Sequence, residues 1–236
     1  MINEYPGSDY ALEVLTRQGD GYYMRKQFSQ ASYFYERAAK KAPAVEEGQY
    51  AAYQLCHSLF RQGAYERAIS ASMDFIQKYP QSSYATNTIY LIGWIRFQQN
   101  KYKEAIDNFK YLIKAYSRSI LVPRAHYAIG DCHYNAGQYE KAMESYKVVV
   151  ESFPSNSLAP EAFESIRYCL ISLGREDEAL KILDEYIEDN DTESPFVKDF
   201  RYKKGEMFYQ GRNYQNAITE YEKYLEKYPE SGKSAE

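Results

Sequence analysis

Nothing in this chain is built to cross a bilayer as a helix, because none of its 236 residues fall in an apolar run of about 18. Charge of one sign is missing too. The 29 basic and 33 acidic residues are interspersed and leave a net charge of −4. No basic block is present to neutralise a phosphate backbone, so no nucleic-acid partner is expected. The opening residues, Met-Ile-Asn-Glu-Tyr-Pro-Gly-Ser, have neither the basic region nor the apolar core of a signal peptide.

The residues of catalysis are scarce as well. Histidine occurs only as His57, His126 and His133, and there is no phosphate loop, nucleophile elbow or His-Glu-x-x-His motif. His126 and His133 lie seven residues apart with Cys132 beside the second. Adjacent residues on a helix point about 100° apart, so Cys132 and His133 are poorly placed to share one ion. Both histidines fall in the core-facing phase. Carboxylate pairs such as Glu185 and Glu188 read as solvated faces. No enzyme, no cofactor and no metal site are expected. The three cysteines, Cys56, Cys132 and Cys169, read as small buried thiols. Cys132 and Cys169 occupy equivalent places 37 residues apart, about 10 Å in stacked helices and too far for a disulfide.

What the chain does have is periodicity. Between Tyr139 and Pro154 the apolar residues are Tyr139, Ala142, Met143, Tyr146, Val149, Val150 and Phe153. They line one face of a helix that Pro154 ends. Such a stripe must be covered, and the chain supplies near-copies of it. Ala31, Ala68, Ala105, Ala142, Ala179 and Ala217 recur at intervals of 37, 37, 37, 37 and 38 residues. Three residues ahead stand Phe28, Tyr65, Tyr102, Tyr139 and Tyr214, with Glu176 as the exception. Prolines keep the phase at Pro6, Pro43, Pro80, Pro154 and Pro229, with Ser117 and Asp191 in the gaps. A period this regular marks a solenoid of stacked units.

A second pattern precedes each alanine by 12 residues: Gly19, Cys56, Gly93, Gly130 and Gly205, broken by Arg167. Glycine costs about 1 kcal/mol inside a helix, so its return predicts close helix–helix approach. The unit holding Arg167 should pack differently. Turns such as Arg61-Gln62-Gly63-Ala64, Asn135-Ala136-Gly137-Gln138 and Ser172-Leu173-Gly174-Arg175 carry the glycine that closes a helix. Pro123 and Pro160 suit a first helical turn. The spacing predicts an all-α chain of twelve helices in six helix-turn-helix pairs near 12–45, 49–82, 86–119, 123–156, 160–193 and 198–232, with an irregular acidic stretch from Glu188 to Pro195. Tyr5-Pro6-Gly7-Ser8 and Tyr228-Pro229-Glu230-Ser231 both resemble the internal junction Tyr79-Pro80-Gln81-Ser82. A single solenoid over 1–236, cut from a longer array, is the expectation.

The glycine and alanine 12 apart, the rings Tyr35, Phe109, Tyr146 and Tyr221 four residues after the alanine, and the prolines 12 after it resemble the tetratricopeptide repeat family. The 37-residue spacing and the junctions 79–85 and 153–159 are similar to a bacterial subclass. That subclass includes the periplasmic coordinator of the Tol-Pal system and the lipoprotein of the outer-membrane assembly machine. The resemblance implies a right-handed α-α superhelix whose first helices line a concave groove. It also implies a non-enzymatic scaffold binding a protein segment there, with a bacterial envelope complex as the setting the resemblance suggests. Periplasm is favoured by the resemblance alone, and cytoplasm stays open.

The helical phase gives the groove three rows. They run Thr16, Tyr53, Tyr90, Tyr127, Glu164, Tyr202; Asp20, His57, Trp94, Asp131, Tyr168, Glu206; and Tyr23, Phe60, Phe97, Tyr134, Ile171, Tyr209. The partner-binding set is Tyr53, His57, Phe60, Tyr90, Trp94, Phe97, Tyr127, Asp131, Tyr134 and Tyr168. Tyrosine and tryptophan dominate binding hot spots, although the first and third rows could equally pack between helices. The lysine- and asparagine-rich carboxylate clamp of some family members is not matched at these sites. Two other readings stand beside the first: an architectural array that stays empty or self-associates, and the regulatory part of a larger protein. Tyr214, Ile218, Tyr221 and Leu225 on the last helix lack a following unit, so an end-to-end homodimer is expected.

Overall fold

A computed structural model describes residues 10–189 and 194–230. Twelve helices lie among them, in six sequential antiparallel pairs: α1 (Ala11–Met24), α2 (Phe28–Lys41), α3 (Glu46–Arg61), α4 (Tyr65–Lys78), α5 (Ala85–Gln98), α6 (Tyr102–Ala115), α7 (Val122–Asn135), α8 (Tyr139–Ser152), α9 (Ala159–Ser172), α10 (Glu176–Asp189), α11 (Pro195–Gln210) and α12 (Tyr214–Lys227). The first four pairs close four residues earlier than the expected spans, because the junction residues after α2, α4, α6 and α8 are not helical. The junction at Tyr5-Pro6-Gly7-Ser8, Asp191 within the acidic stretch and Ser231 fall outside the described residues.

The chain divides into two compact units, residues 1–138 and 139–236. In the first, α1 to α3 enclose Leu15, Ala31, Tyr35, Ala38 and Ala51. A second core there holds Cys56, Leu59, Ala68, Ile69, Phe75, Leu91, Ile92 and Ile95. In the second unit Phe163, Leu183, Ile187, Val197 and Phe200 form the core. The ring of Phe163 lies 4.5 Å from Tyr186 and 5.3 Å from Phe200. All six periodic alanines are buried, which is why the position stays small.

The recurrent glycines do what their spacing predicts. A Cβ on Gly19 would stand 2.6 Å from the Tyr35 ring, one on Gly93 2.5 Å from Phe109, and one on Gly205 2.5 Å from Tyr221. In each pair the ring four residues after the alanine lies over the glycine, bringing the two helix axes together. The second pair departs from this with Cys56 facing a buried Ser72, a smaller residue where the first, third and sixth pairs carry a ring. Small partner for large and medium for medium keep the volume filled.

All six turns end the first helix the same way. In the first, the Lys26 and Gln27 amides donate to the Tyr23 and Tyr22 carbonyls at 2.9 Å each. This closure places its central residue in the left-handed region. Gly63, Gly137 and Gly174 hold it at φ +81°, +71° and +68°, whereas Lys26, Asn100 and Arg212 adopt φ of 58–59° without being glycine. A lysine there carries a steric cost that glycine does not. Lys26→Gly is therefore expected to raise stability by about 0.5–1 kcal/mol. Urea unfolding followed by helicity checks it, and no gain would mean that the Lys26 side chain has a compensating role.

Candidate functional site

The structure places Tyr53, His57 and Phe60 on α3, Tyr90, Trp94 and Phe97 on α5, Tyr127, Asp131 and Tyr134 on α7, and Tyr168 on α9. The first nine belong to the first unit and are all partly buried and partly exposed; Tyr168 belongs to the second and is 49 % exposed. None of the ten is sealed into a core.

In the first row Tyr53 and Tyr90 are each gripped by a neighbouring element. Tyr53 stacks on Tyr84, just ahead of α5, with centroids 4.8 Å apart and planes 19° apart. Burial raises its phenol pKa. Tyr90 packs against Phe109 at 5.1 Å and lies 5.2 Å beneath the Arg124 guanidinium. Burial raises the Tyr90 phenol too, partly offset by Arg124. Thr16, at the head of the row, is buried and donates to the Leu12 carbonyl of its own helix at 3.0 Å.

The second row is more open chemically. Asp20 accepts from the Tyr35 hydroxyl at 2.6 Å and the Tyr50 hydroxyl at 3.0 Å, and the Gln54 amide donates to Tyr50 at 2.7 Å. Burial first, and the Asp20 carboxylate second, push the Tyr35 phenol far above its usual range. Trp94 lies nearly parallel to Phe97, with centroids 5.2 Å apart and planes 18° apart. His57 meets Tyr53 edge-on at 4.6 Å. Its Nε2 is shut from solvent with no hydrogen-bond partner among the described residues.

Burial accordingly lowers the His57 imidazole to about 4. The unfolded chain then takes up a proton near pH 6.5 that the folded chain refuses until about pH 4. Stability is complete above pH 6.5 and falls through that window by on the order of 2–3 kcal/mol. His126, also lowered by burial, adds to the same trend. The stability difference between wild type and His57→Phe should therefore change between pH 7 and pH 4; a constant difference would contradict the burial of His57.

The third row is tied into its own helix pairs. Tyr23 meets Phe28 at 5.3 Å, Phe60 meets Tyr65 at 6.0 Å, Phe97 meets Tyr102 at 5.7 Å, and Tyr209 meets Tyr214 at 5.5 Å. Each joins the end of a first helix to the start of the second, so these rings brace the turn. Phe60 and Phe97 thus carry packing duty whatever else they touch.

In the second unit the face is ionic instead. Arg167 is 6 % exposed and donates twice to Glu164, while Lys203 reaches the same carboxylate at 2.8 Å and Asp199 at 2.8 Å. The Arg167 guanidinium also lies 4.5 Å over the Tyr168 ring. Burial alone would raise the Glu164 carboxyl, but Arg167 and Lys203 outweigh it and hold it below its usual range. This is how the fifth pair packs differently: Arg167 replaces the glycine, and Leu183 stands where the ring would be.

The periodic pattern does not mark Tyr84, Tyr50 or Arg124, because none recurs at 37-residue intervals. Nor does it mark the open cavity of about 730 Å³ lined by Glu13, Thr16, Arg17 and Asp20 of α1, Glu46, Glu47 and Tyr50 of α3, and Tyr84. His133 Nδ1, near the end of α7, lies 3.0 Å from Gln138 Oε1, and the residue is only partly buried rather than in the core. The three thiols are free and buried, and burial pushes those of Cys56 and Cys132 up to about 12. Among the described residues no group of three His, Cys, Asp or Glu is placed to hold a metal ion, and no helix is long and apolar enough to cross a membrane.

A family model described as tetratricopeptide repeat matches residues 90–157 and 170–232. A second, described as anaphase-promoting complex, cyclosome, subunit 3, matches residues 24–112. No curated protein matches the sequence. Among solved structures, a MamA protein is 21% identical, with 77% of this chain and 92% of that one covered at a TM-score of 0.60. MamA from Desulfovibrio magneticus RS-1 is 16% identical, with 77% and 95% covered at 0.58. BtubC from P. vanneervenii is 14% identical, with 74% and 78% covered at 0.61. At these identities the likeness is one of fold. The comparisons lend no support to the narrower likeness to the Tol-Pal coordinator and the outer-membrane assembly lipoprotein.

Proposed function

The chain belongs to the tetratricopeptide repeat family, and on that premise we propose that it is a non-enzymatic scaffold holding a partner protein's segment against the aromatic face of its first helices. The observation that carries this reading is the state of Tyr53, His57, Tyr90, Trp94, Tyr127 and Asp131: partly exposed in every case, on three alternate helices. Trp94 is the anchor. Rings held by stacking present area to a ligand with little rotamer freedom left to lose. Tyr53 and Tyr90 are held by Tyr84 and Arg124, and Trp94 by Phe97. Phe60, Phe97 and Tyr134 would border the site, while Tyr168 belongs to the second unit and is taken by itself.

Affinity capture from the native cell with wild type and Trp94→Glu, the latter verified as helical, tests the proposal. A partner held by the wild type and lost by the variant supports it. Equal recovery by both moves binding to another face. A setting in a bacterial envelope complex rests on the junction residues alone, and a purely cytosolic pool on fractionation would remove it.

A second reading has its own observation. Tyr214, Ile218 and Leu225 on α12 are 54 %, 51 % and 41 % exposed. Of the apolar residues at Ile218's position in other pairs, Ile69 and Met143 are 4 % and 8 % exposed, and Ile106 and Leu180 are partly buried. An open apolar face of this kind supports self-association through α12.

A further inference from the structure

An open cavity of about 530 Å³ lies between α2 and α4, over the flank of α3 opposite Tyr53 and His57. Ala52, Leu55 and Leu59 form its floor, Ala39 one wall, and Ala71 and Phe75 the other. Its origin can be read by comparing repeats. The position of Ala39 carries Ile76, Ile113, Val150, Ile187 and Leu225 in the other five pairs. Ile76 packs against the core that contains Ile92, and Ile92 is 4 % exposed. Ile129 and Ile166, at the same place in later first helices, are 5 % exposed each. Leu55 is their counterpart under Ala39 and is only partly buried. One branched aliphatic side chain is missing from the first pair, and its place is left open.

The rim states what else an occupant should carry. On α2, Lys40 is neutralised by Glu36 at 2.6 Å. On α4, Arg67 and Lys78 flank the opening with Asp74 between them, and neither cation makes an ion pair among the described residues. The cavity therefore suits a branched aliphatic side chain beside a carboxylate. The chain itself displays that combination: Ile218, Glu222 and Leu225 share one face of α12, and all three are exposed.

We propose that the cavity between α2 and α4 receives the Ile218–Glu222–Leu225 face of α12 from a second copy of this chain. The proposal rests on the self-association reading and names its receptor. The contact joins two different surfaces, so it is heterologous and leaves each dimer with one free donor and one free receptor. Association then continues with concentration instead of stopping at two.

Sedimentation of the full chain from about 1 to 100 μM tests this, a range where modest contacts register. Wild type should grow beyond a dimer. Ala39→Ile fills the cavity, and Ile218→Asp spoils the inserted face; each alone should stay monomeric. Mixed in equal amounts they should form a dimer and nothing larger, because one copy still offers the helix and the other the cavity. Ala39→Ile should also melt about 2–4 °C higher, the shift expected for filling the gap.

Wild-type-like association of Ala39→Ile, with loss in Ile218→Asp, would overturn the cavity as receptor while leaving α12 self-association intact. A monomeric wild type at the highest concentration would overturn both. A mixture that stays monomeric, or an Ala39→Ile that melts lower, would overturn the proposal itself.

Discussion

Gly93→Leu should cost on the order of 3 kcal/mol, among the largest single-residue effects in this chain. The added Cβ alone would stand 2.5 Å from Phe109 Cε1, and Phe109 is fully buried, with no free path to swing aside. Alanine at the same site gains about 1 kcal/mol of helix propensity over glycine. The overpacking term of about 1–3 kcal/mol should still prevail. Gly21 is the internal control, because nothing lies within 4 Å of where its Cβ would stand. Gly21→Ala should be neutral or stabilising, and Gly93→Ala destabilising. Combining Gly93→Ala with Phe109→Leu should recover part of the loss, and a double-mutant cycle by urea unfolding reads the coupling. Independent, additive effects would mean that the ring and the glycine do not share one space.

Arg167→Ala should be nearly as costly, on the order of 3 kcal/mol at neutral pH, because it removes one partner from a buried ion pair. Arg167 and Glu164 have side chains only 7 % and 14 % exposed, and Lys203 is left as the carboxylate's remaining support. The sign of the pH dependence follows from Glu164. Its folded pKa is depressed, so its contribution is complete above the unfolded value near 4.3 and disappears as pH falls through the folded one. The gap between wild type and Arg167→Ala should therefore narrow in acid. An equal gap at pH 7 and pH 3 would show that Arg167 acts by packing and its stack on Tyr168 rather than by charge.

The interval of 37 residues told most of the fold, since it located the alanines, the ring-and-glycine pairs and the pairwise order of helices. It did so because most pairs solve the same packing problem with the same small-and-large combination. What it could not tell lies where one pair departs from the pattern. Gly48 is such a case: Ala11, Ala85, Val122, Ala159 and Val197 hold its place elsewhere, but a Cβ there would meet the Ala42 carbonyl oxygen at 1.8 Å. Lys26, Asn100 and Arg212 are others, taking the left-handed turn without glycine because the closing hydrogen bonds outweigh its cost.

The site was legible as a face but not as a set of contacts. Helical phase puts Tyr53, Tyr90 and Trp94 on one side. It does not say that Tyr84 and Arg124, from outside the pattern, hold the first two in place. Nor does it show that Phe60 and Phe97 brace their own turns against Tyr65 and Tyr102. Those are long-range placements, fixed by side chains that occur once. The gap beside Ala39 was visible in the residue types all along, as the one small residue in a series of branched ones. Reading it as a cavity required the partly uncovered Leu55 beneath it.

If the aromatic face of the first helices is open to a ligand, the lone Trp94 reports on it directly. Quenching of its emission by acrylamide and iodide in the free protein is the measurement. An open face should give an emission maximum between the buried and fully hydrated limits, with both quenchers reaching the ring. A blue emission that neither quencher touches would contradict it, placing Trp94 in a sealed core and leaving the scaffold without its proposed anchor.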